Sequence, residues 1–427
     1  MQHELKVSLF DLAMSLSNAM DLINPELVNH HKRVAYIALR MAEQLGLPAE
    51  EINQIVLAGI VHDVGALSLS FEERLNLKQY EYYNATAHAK VGYWLLDTFA
   101  PMEQIAKLVR YHHHSWGMGN GTAFEGEPVP LGSHILHLAD RIEVLIDRRE
   151  EILGQVSQIT EIVEQGRGRL FAPEILDAFK AISSKEYFWL DITSSNVGRI
   201  LAENIDPVSI QLRVSDLLEL SKLFSQIIDF RSSFTSTHSS GVAYTSEAIA
   251  CFFGLTKQEC QMMRIAGFLH DIGKLAIPKE ILEKPDKLEP EEFNVMRSHT
   301  YYTYRVLDTI PGFRTITEWA SFHHEKLNGH GYPFHLTGES LSLGARIMAV
   351  ADVFTAIAED RPYRKGLEKD KVLSILNRMV AADSLDGHIV RVLELNYEEI
   401  DQVRIQAQAD ADKKYKEFKD KVADLAQ

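Results

Sequence analysis

Two stretches of this chain set a histidine and an aspartate side by side after an apolar run: Val61-His62-Asp63-Val64-Gly65-Ala66 and Leu269-His270-Asp271-Ile272-Gly273-Lys274. A carboxylate pressed against apolar surface is costly unless something pairs with it. A bound metal ion is the commonest answer where histidine and carboxylate meet. Around the second stretch stand His238, His299, His323, His324 and Asp352. Together these make five imidazoles and two carboxylates, more than one ion needs, and they suit two ions sharing a carboxylate. Asp271, adjacent to a ligand histidine, is the natural bridge. His238, His270 and Asp352 would complete one ion, and His299, His323 and His324 the other. Mixed nitrogen and oxygen ligands fit iron, manganese, cobalt or zinc, and nothing in the ligand set chooses among them.

The same residue types recur in the first half, in the same order. His30 meets His238, and His62-Asp63 meets His270-Asp271, at an offset of 208. His88 meets His299, and His112-His113 meets His323-His324, at 211; Asp140 meets Asp352 at 212. Flanking residues follow: Val34-Ala35-Tyr36 aligns with Val242-Ala243-Tyr244, and Leu96-Asp97-Thr98 with Leu307-Asp308-Thr309. So small a drift over so long a span is a tandem duplication. Of the other histidines, His31, His114, His134, His137, His330, His335 and His388 have no consistent counterpart and read as ordinary.

The elements that must position these residues are helical. Apolar residues recur at three- and four-residue spacing through 27–44, 51–60, 242–253 and 344–359, whereas strand-like alternation is scarce. Turns are marked by Gly46-Leu47-Pro48, the glycines of 117–121, Pro128-Val129-Pro130, Pro311-Gly312 and 328–333. The expected fold is all-α, with two tandem helical domains over 1–205 and 211–401. Residues 402–427, rich in Ala, Lys and Asp, should form a polar, solvated terminal helix.

A chain of 427 residues, 46% apolar and 24% charged, has room for two or three cores. It contains no apolar run of membrane-spanning length and no signal-peptide layout at its start. Its two cysteines, Cys251 and Cys260, cannot build a disulfide framework. They suggest half-buried or buried helix positions in a reducing cytoplasm. The net charge of −16 argues against DNA or RNA as partner, because broad binding needs many cations on phosphates.

On these residues the chain resembles the HD superfamily of metal-dependent phosphohydrolases, and its second copy resembles the HD-GYP subfamily. The match is carried by His270-Asp271-Ile272-Gly273-Lys274, by His323-His324-Glu325-Lys326-Leu327-Asn328-Gly329-His330-Gly331-Tyr332-Pro333, by Ala351-Asp352-Val353-Phe354-Thr355-Ala356 and by Arg361-Pro362-Tyr363-Arg364. The resemblance implies a bacterial cyclic-dinucleotide phosphodiesterase with two divalent ions, iron or manganese first, with zinc, cobalt and nickel as alternatives. Cyclic di-GMP and 3′,3′-cyclic GMP–AMP both stay open as substrate, and so do a linear dinucleotide and mononucleotides as product. A low-turnover receptor and a phosphohydrolase of another nucleotide are the rival readings; a homodimer or a signalling protein partner is left open.

The residues agree with that role. Two metal ions a few ångströms apart can activate a water and neutralise a phosphodiester's developing charge. Lys274, one turn past His270, can reach a phosphate oxygen, and Arg361 and Arg364 can grip the second phosphate. Tyr332, in the stiff Gly-Tyr-Pro loop, offers a face for a base. Some members of the subfamily place a glutamate one turn before the first ligand histidine and hold a third metal; here that position is Phe234, so two ions are expected.

The first copy keeps all seven ligand positions and has Glu26 one turn before His30, so Glu26, His30, His62, Asp63, His88, His112, His113 and Asp140 form a second candidate metal site. Yet Ala66 stands in place of the lysine, Trp116-Gly117-Met118-Gly119-Asn120-Gly121 lacks Gly-Tyr-Pro, and only Arg149 matches one of the arginines, with Ile152 at the other position. The expectation is a metal-binding, regulatory or structural HD domain with a weakened substrate site.

Overall fold

The computed structural model describes residues 7–23, 28–68, 86–205, 211–229, 237–284, 286–360 and 364–426. Its contacts divide the chain into two compact units, 8–211 and 212–427, the latter with Val7. Both are all-α, as the periodicity predicts, and the described strands are two-residue pieces such as the Ala123–Phe124 and Glu127–Pro128 hairpin.

The first unit runs through α1 (Leu9–Asp21), α2 (His30–Gln44), α3 (Ala49–Val61), α4 (Thr86–Leu96), α5 (Glu103–Arg110) and α6 (Leu131–Val144). It closes with α7 (Val156–Glu164), α8 (Pro173–Ser183), α9 (Glu186–Thr193) and α10 (Val197–Asn204). Helix α2 is its axis. It packs against α3, α6 and α8, and Val34, Ala35, Ile37, Ala38 and Leu39 are fully buried along it.

The second unit repeats the plan with α11 (Val214–Asp229), α12 (His238–Phe253), α13 (Lys257–Leu269), α14 (Pro290–Leu307), α15 (Arg314–Ser321) and α16 (Leu343–Ala358). It ends in α17 (Lys369–Ala381), α18 (Gly387–Leu395) and α19 (Tyr397–Ala423). Helix starts are fixed locally. Thr256 and Glu259 cap α13 reciprocally, Glu289 and Glu292 do so at α14 with Pro290 in the first turn, and the Ser342 hydroxyl caps α16. Here α12 is the axis, packed against α13, α16 and α19.

The terminal helix differs from the solvated appendage expected from 402 onward. It begins at Tyr397 as part of a 27-residue helix whose Tyr397, Ile400, Arg404 and Ala407 are buried. Of the cysteines, Cys260 is buried and Cys251 is exposed, the latter against expectation; Cys251 sits near the end of α12, past its buried face. No described helix is long and apolar enough to cross a membrane.

Candidate metal centres

In the second unit four of the five candidate histidines sit at or next to a helix end. His238 opens α12, His270 follows the last residue of α13, and His323-His324 follow α15; His299 lies on the buried side of α14. Three of these rings are aimed by the same device. The Nδ1 atoms of His270, His299 and His323 each lie 2.7 Å from a backbone carbonyl three residues earlier, on Gly267, Met296 and Ala320. Each Nδ1 is thus the donor, which leaves Nε2 facing inward and available as a ligand atom.

After His270 the chain turns through Asp271 into a 3₁₀ turn, Ile272–Ala276, packed on α14. Gly273 makes that approach possible: a Cβ there would sit 1.9 Å from the His299 carbonyl oxygen. Gly65 plays the same part against His88, at 2.1 Å. The glycine two places after each aspartate is therefore what brings the His-Asp pair to the third histidine.

The inward atoms gather into three overlapping groups that could hold metal: His238, His270 and Asp352; His270, Asp271 and His323; and His299, His323 and His324. His270 Nε2 lies 3.1 Å from Asp271 Oδ2, His299 Nε2 3.5 Å from Asp271 Oδ1, and His238 Nε2 3.1 Å from Asp352 Oδ1. Lys274 Nζ is 2.6 Å from Asp271 Oδ2. His270 Nε2 is buried without a hydrogen-bond partner, as is His62 Nε2 in the first unit. Orphaned inward lone pairs beside carboxylates are a donor set that fits divalent cations.

Electrostatics agree with that fit. Burial favours the neutral rings, taking His299 down to about 3 and His323 well below its usual range. Burial would raise the two aspartates, but His270 and Lys274 keep Asp271 well below the carboxylate range, and His238 and His324 do the same for Asp352. His238 moves the opposite way to His299 and His323. Burial opposes its charge, yet Glu359 and then Asp352 raise it to about 10.

The Gly-Tyr-Pro loop is fastened to the same cluster. A Cβ on Gly331 would meet Glu325 Cα at 2.4 Å, so only glycine lets the loop cross that backbone. Tyr332 N donates to the His324 carbonyl at 3.2 Å, and buried Glu325 accepts from Phe334 N and Leu336 N at 2.6 and 3.0 Å. The half-buried Tyr332 ring then stands 5.0 Å from the His324 ring. With its side chain 31% exposed, His324 marks where the cluster opens to solvent.

The remaining candidates are less simply placed. Arg364 is exposed and its guanidinium donates to the Ala356 carbonyl at 2.7 Å. Arg361, Phe234 and Glu26 lie outside the described residues.

The first unit assembles its own cluster. Asp63, His88, His112 and His113 form one group and His30, His62 and Asp140 another. His88 Nε2 is 3.1 Å from Asp63 Oδ1 and 3.2 Å from both His112 Nε2 and His113 Nε2. Two features separate it from the second unit. Buried Arg141 donates to Asp140 Oδ2 at 2.6 Å, and the loop in place of Gly-Tyr-Pro is tied to 168–170 by Trp116 N to Leu170 O, Gly117 N to Arg169 O and Met118 N to Gly168 O.

Sequence reasoning misses four contributors. Glu359 accepts from His238 Nδ1, with both oxygens at 3.1 Å, and Gln408 of α19 donates to Glu359 at 2.8 Å while accepting from Arg404 at 2.6 Å. In the first unit Glu143 does this for His30 at 2.6 Å. His31, read as ordinary, is buried with Nε2 3.9 Å from Asp63 Oδ2. Only the buried acidic residues late in the α6 and α16 segments could have signalled the glutamates.

Comparison with known proteins decides the family. HD-domain family models match residues 27–145 and 222–389. The 3′3′-cGAMP-specific phosphodiesterase 1 of Vibrio cholerae is 30% identical over 412 residues, covering 94% of this chain and 95% of that protein. The chain belongs to the HD-GYP branch of the HD-domain family. The 3′3′-cGAMP-specific phosphodiesterase 3 of the same organism aligns with this HD-GYP chain at 26% identity, covering 86% of the chain and 90% of the relative. A cyclic di-GMP phosphodiesterase response regulator of Xanthomonas campestris is 39% identical over 160 residues, 37% of the chain and 42% of its own length. Among solved structures, a cyclic GMP-AMP-specific phosphodiesterase of V. cholerae superposes with a TM-score of 0.65 at 23% identity, covering 92% of this chain and 98% of that one, a likeness of fold. HD domains are metal-dependent, and both units of this HD-GYP chain carry His/Asp groups able to hold metal.

Proposed function

We propose that the second unit hydrolyses a 3′–5′ cyclic dinucleotide, 3′,3′-cyclic GMP–AMP in preference to cyclic di-GMP, using two divalent ions, iron or manganese. The observation that carries this reading is the full-length match: the two relatives aligned over at least 86% of the chain both bear the cGAMP name, whereas the Xanthomonas cyclic di-GMP relative aligns over 37%.

When bound, the ions supply an activated water and neutralise charge developing on the phosphodiester. The residues do the rest. Asp271 would be shared between the ions, with His238, His270 and Asp352 holding one and His299, His323 and His324 the other. Lys274, already beside Asp271, contacts a phosphate oxygen as a compact donor. Tyr332 flanks the opening at His324 and presents its face to a base. Arg361 and Arg364 grip the second phosphate, which requires Arg364 to leave the Ala356 carbonyl.

The first unit is a metal-binding regulatory domain in this reading, with its loop tied down and Ala66 where a phosphate-contacting cation would be needed. The test is turnover of 3′,3′-cyclic GMP–AMP and cyclic di-GMP by the purified chain loaded with iron or manganese, products resolved by chromatography. Linear product from cyclic GMP–AMP is expected; no turnover of either dinucleotide would overturn the proposal.

A further inference from the structure

Helix α14 carries His299 on its buried side, but its other side bears an exposed aromatic residue with a cation over it. Phe293 is 45% exposed, and the Arg297 guanidinium, one turn on, lies 5.7 Å from its ring centroid. Arg297 Nη2 donates to Asn294 at 2.6 Å, which fixes one edge of the fork over the ring. This pair is continuous with the metal cluster. From His324 the rings step outward, 5.0 Å to Tyr332 and then 6.3 Å from Tyr332 to Phe293, nearly perpendicular at 87°.

A large apolar ring left in water beside a cation lacks the partner its chemistry suits best. Nucleobases stack on aromatic faces and on guanidinium planes, and guanine offers O6 and N7 to a two-pronged donor. Tyr332 and Phe293 meet edge to face, so they form two walls of a corner and not one flat face. A planar ring attached by a ribose to a phosphate held near Lys274 would reach that corner, with Arg297 at its edge.

We infer that Phe293 and Arg297 form a purine-binding subsite of the second unit, in which Phe293 stacks on one base of the cyclic dinucleotide and Arg297 favours guanine there. The inference deepens the proposed function and rests on it. It adds two substrate-contacting residues that lie outside the ligand histidines and the Gly-Tyr-Pro loop, and it gives the exposed face of α14 a small-molecule occupant and not a protein one.

The full chain loaded with manganese is assayed with 3′,3′-cyclic GMP–AMP, cyclic di-GMP and cyclic di-AMP as wild type, Phe293→Ala, Arg297→Gln and Arg297→Lys, with bound metal measured for each. Loss of one stacked base is expected to raise KM about tenfold or more in Phe293→Ala, with metal content unchanged and kcat little affected. Arg297→Gln is expected to raise KM for the guanine-containing substrates and to narrow the preference over cyclic di-AMP. Arg297→Lys, which lacks the fork, does not restore it. Unchanged KM values in Phe293→Ala and Arg297→Gln, with wild-type turnover intact, would overturn the subsite alone and leave this face to a protein partner. No turnover of any dinucleotide by wild type would overturn the proposed function, and the subsite with it.

Discussion

Lys274 Nζ stands 2.6 Å from Asp271 Oδ2, and the equivalent of this lysine in the first unit is Ala66. Asp271 of the second unit thus has a lysine ammonium beside it, whereas in the first unit the cation, Arg141, is on the other aspartate, Asp140. Lys274→Ala is expected to lower kcat about 10²–10³-fold, the usual effect of removing one electrostatic donor from a reacting centre, while bound metal stays constant. Equal losses of metal and activity would make Lys274 a structural residue.

The His238–Glu359–Gln408 chain leads from a histidine of the candidate metal cluster to the terminal helix. Outer-shell partners of ligand histidines typically change metal affinity 10–100-fold. Glu359→Gln is expected to weaken metal binding within about that range, and Gln408→Ala to do so by less, both measured by metal-titration calorimetry. Unaltered affinity in Glu359→Gln would remove Glu359 from the site's support.

The approach of the Asp271 turn to α14 leaves no room for a side chain at Gly273. Gly273→Ala is expected to cost about 1–3 kcal/mol or more, the range for forced overpacking, and to displace the His-Asp pair from His299. Denaturant unfolding of the metal-free protein measures the first effect and metal stoichiometry the second. Wild-type values for both would show that the turn can shift freely.

How much of this was legible in the sequence follows from what duplication preserves. The clustered histidines and aspartates were readable because both copies carry the same types at nearly the same offsets. Glu143 and Glu359 were not, because they come from different turns: Glu143 lies one turn past Asp140, whereas Glu359 lies two turns past Asp352. The repeat aligns neither with the other, although each bonds the first histidine of its unit. His31 was set aside for a related reason, since its counterpart is Ser239. The buried side of the terminal helix was masked by its composition, in which a few buried positions are diluted by Lys, Asp and Gln. Phe293 and Arg297 carry no signal beyond a helical spacing that surface residues commonly share.

His137 of the first unit is buried against Phe171 and near Arg141, and burial first, then Arg141, takes it down to about 3. A histidine whose folded value lies below its unfolded value near 6.5 contributes no penalty above that value. As the pH falls from about 6.5 toward 3 the unfolded chain takes up the proton and the folded one does not, so stability is lost. His137→Leu is expected to remove this part of the acid sensitivity, so that its melting temperature gains on wild type between pH 7 and pH 5. A parallel decline of the two proteins would refute the assignment.

The central claim is that the two clusters, alike in ligands, divide metal binding from catalysis, with the reaction in the second. Turnover of 3′,3′-cyclic GMP–AMP by Asp271→Asn and by Asp63→Asn tests it most directly, with circular dichroism confirming the fold of each. The account predicts that Asp271→Asn abolishes hydrolysis and Asp63→Asn retains it. Retained hydrolysis in Asp271→Asn, or its loss in a folded Asp63→Asn, would contradict it.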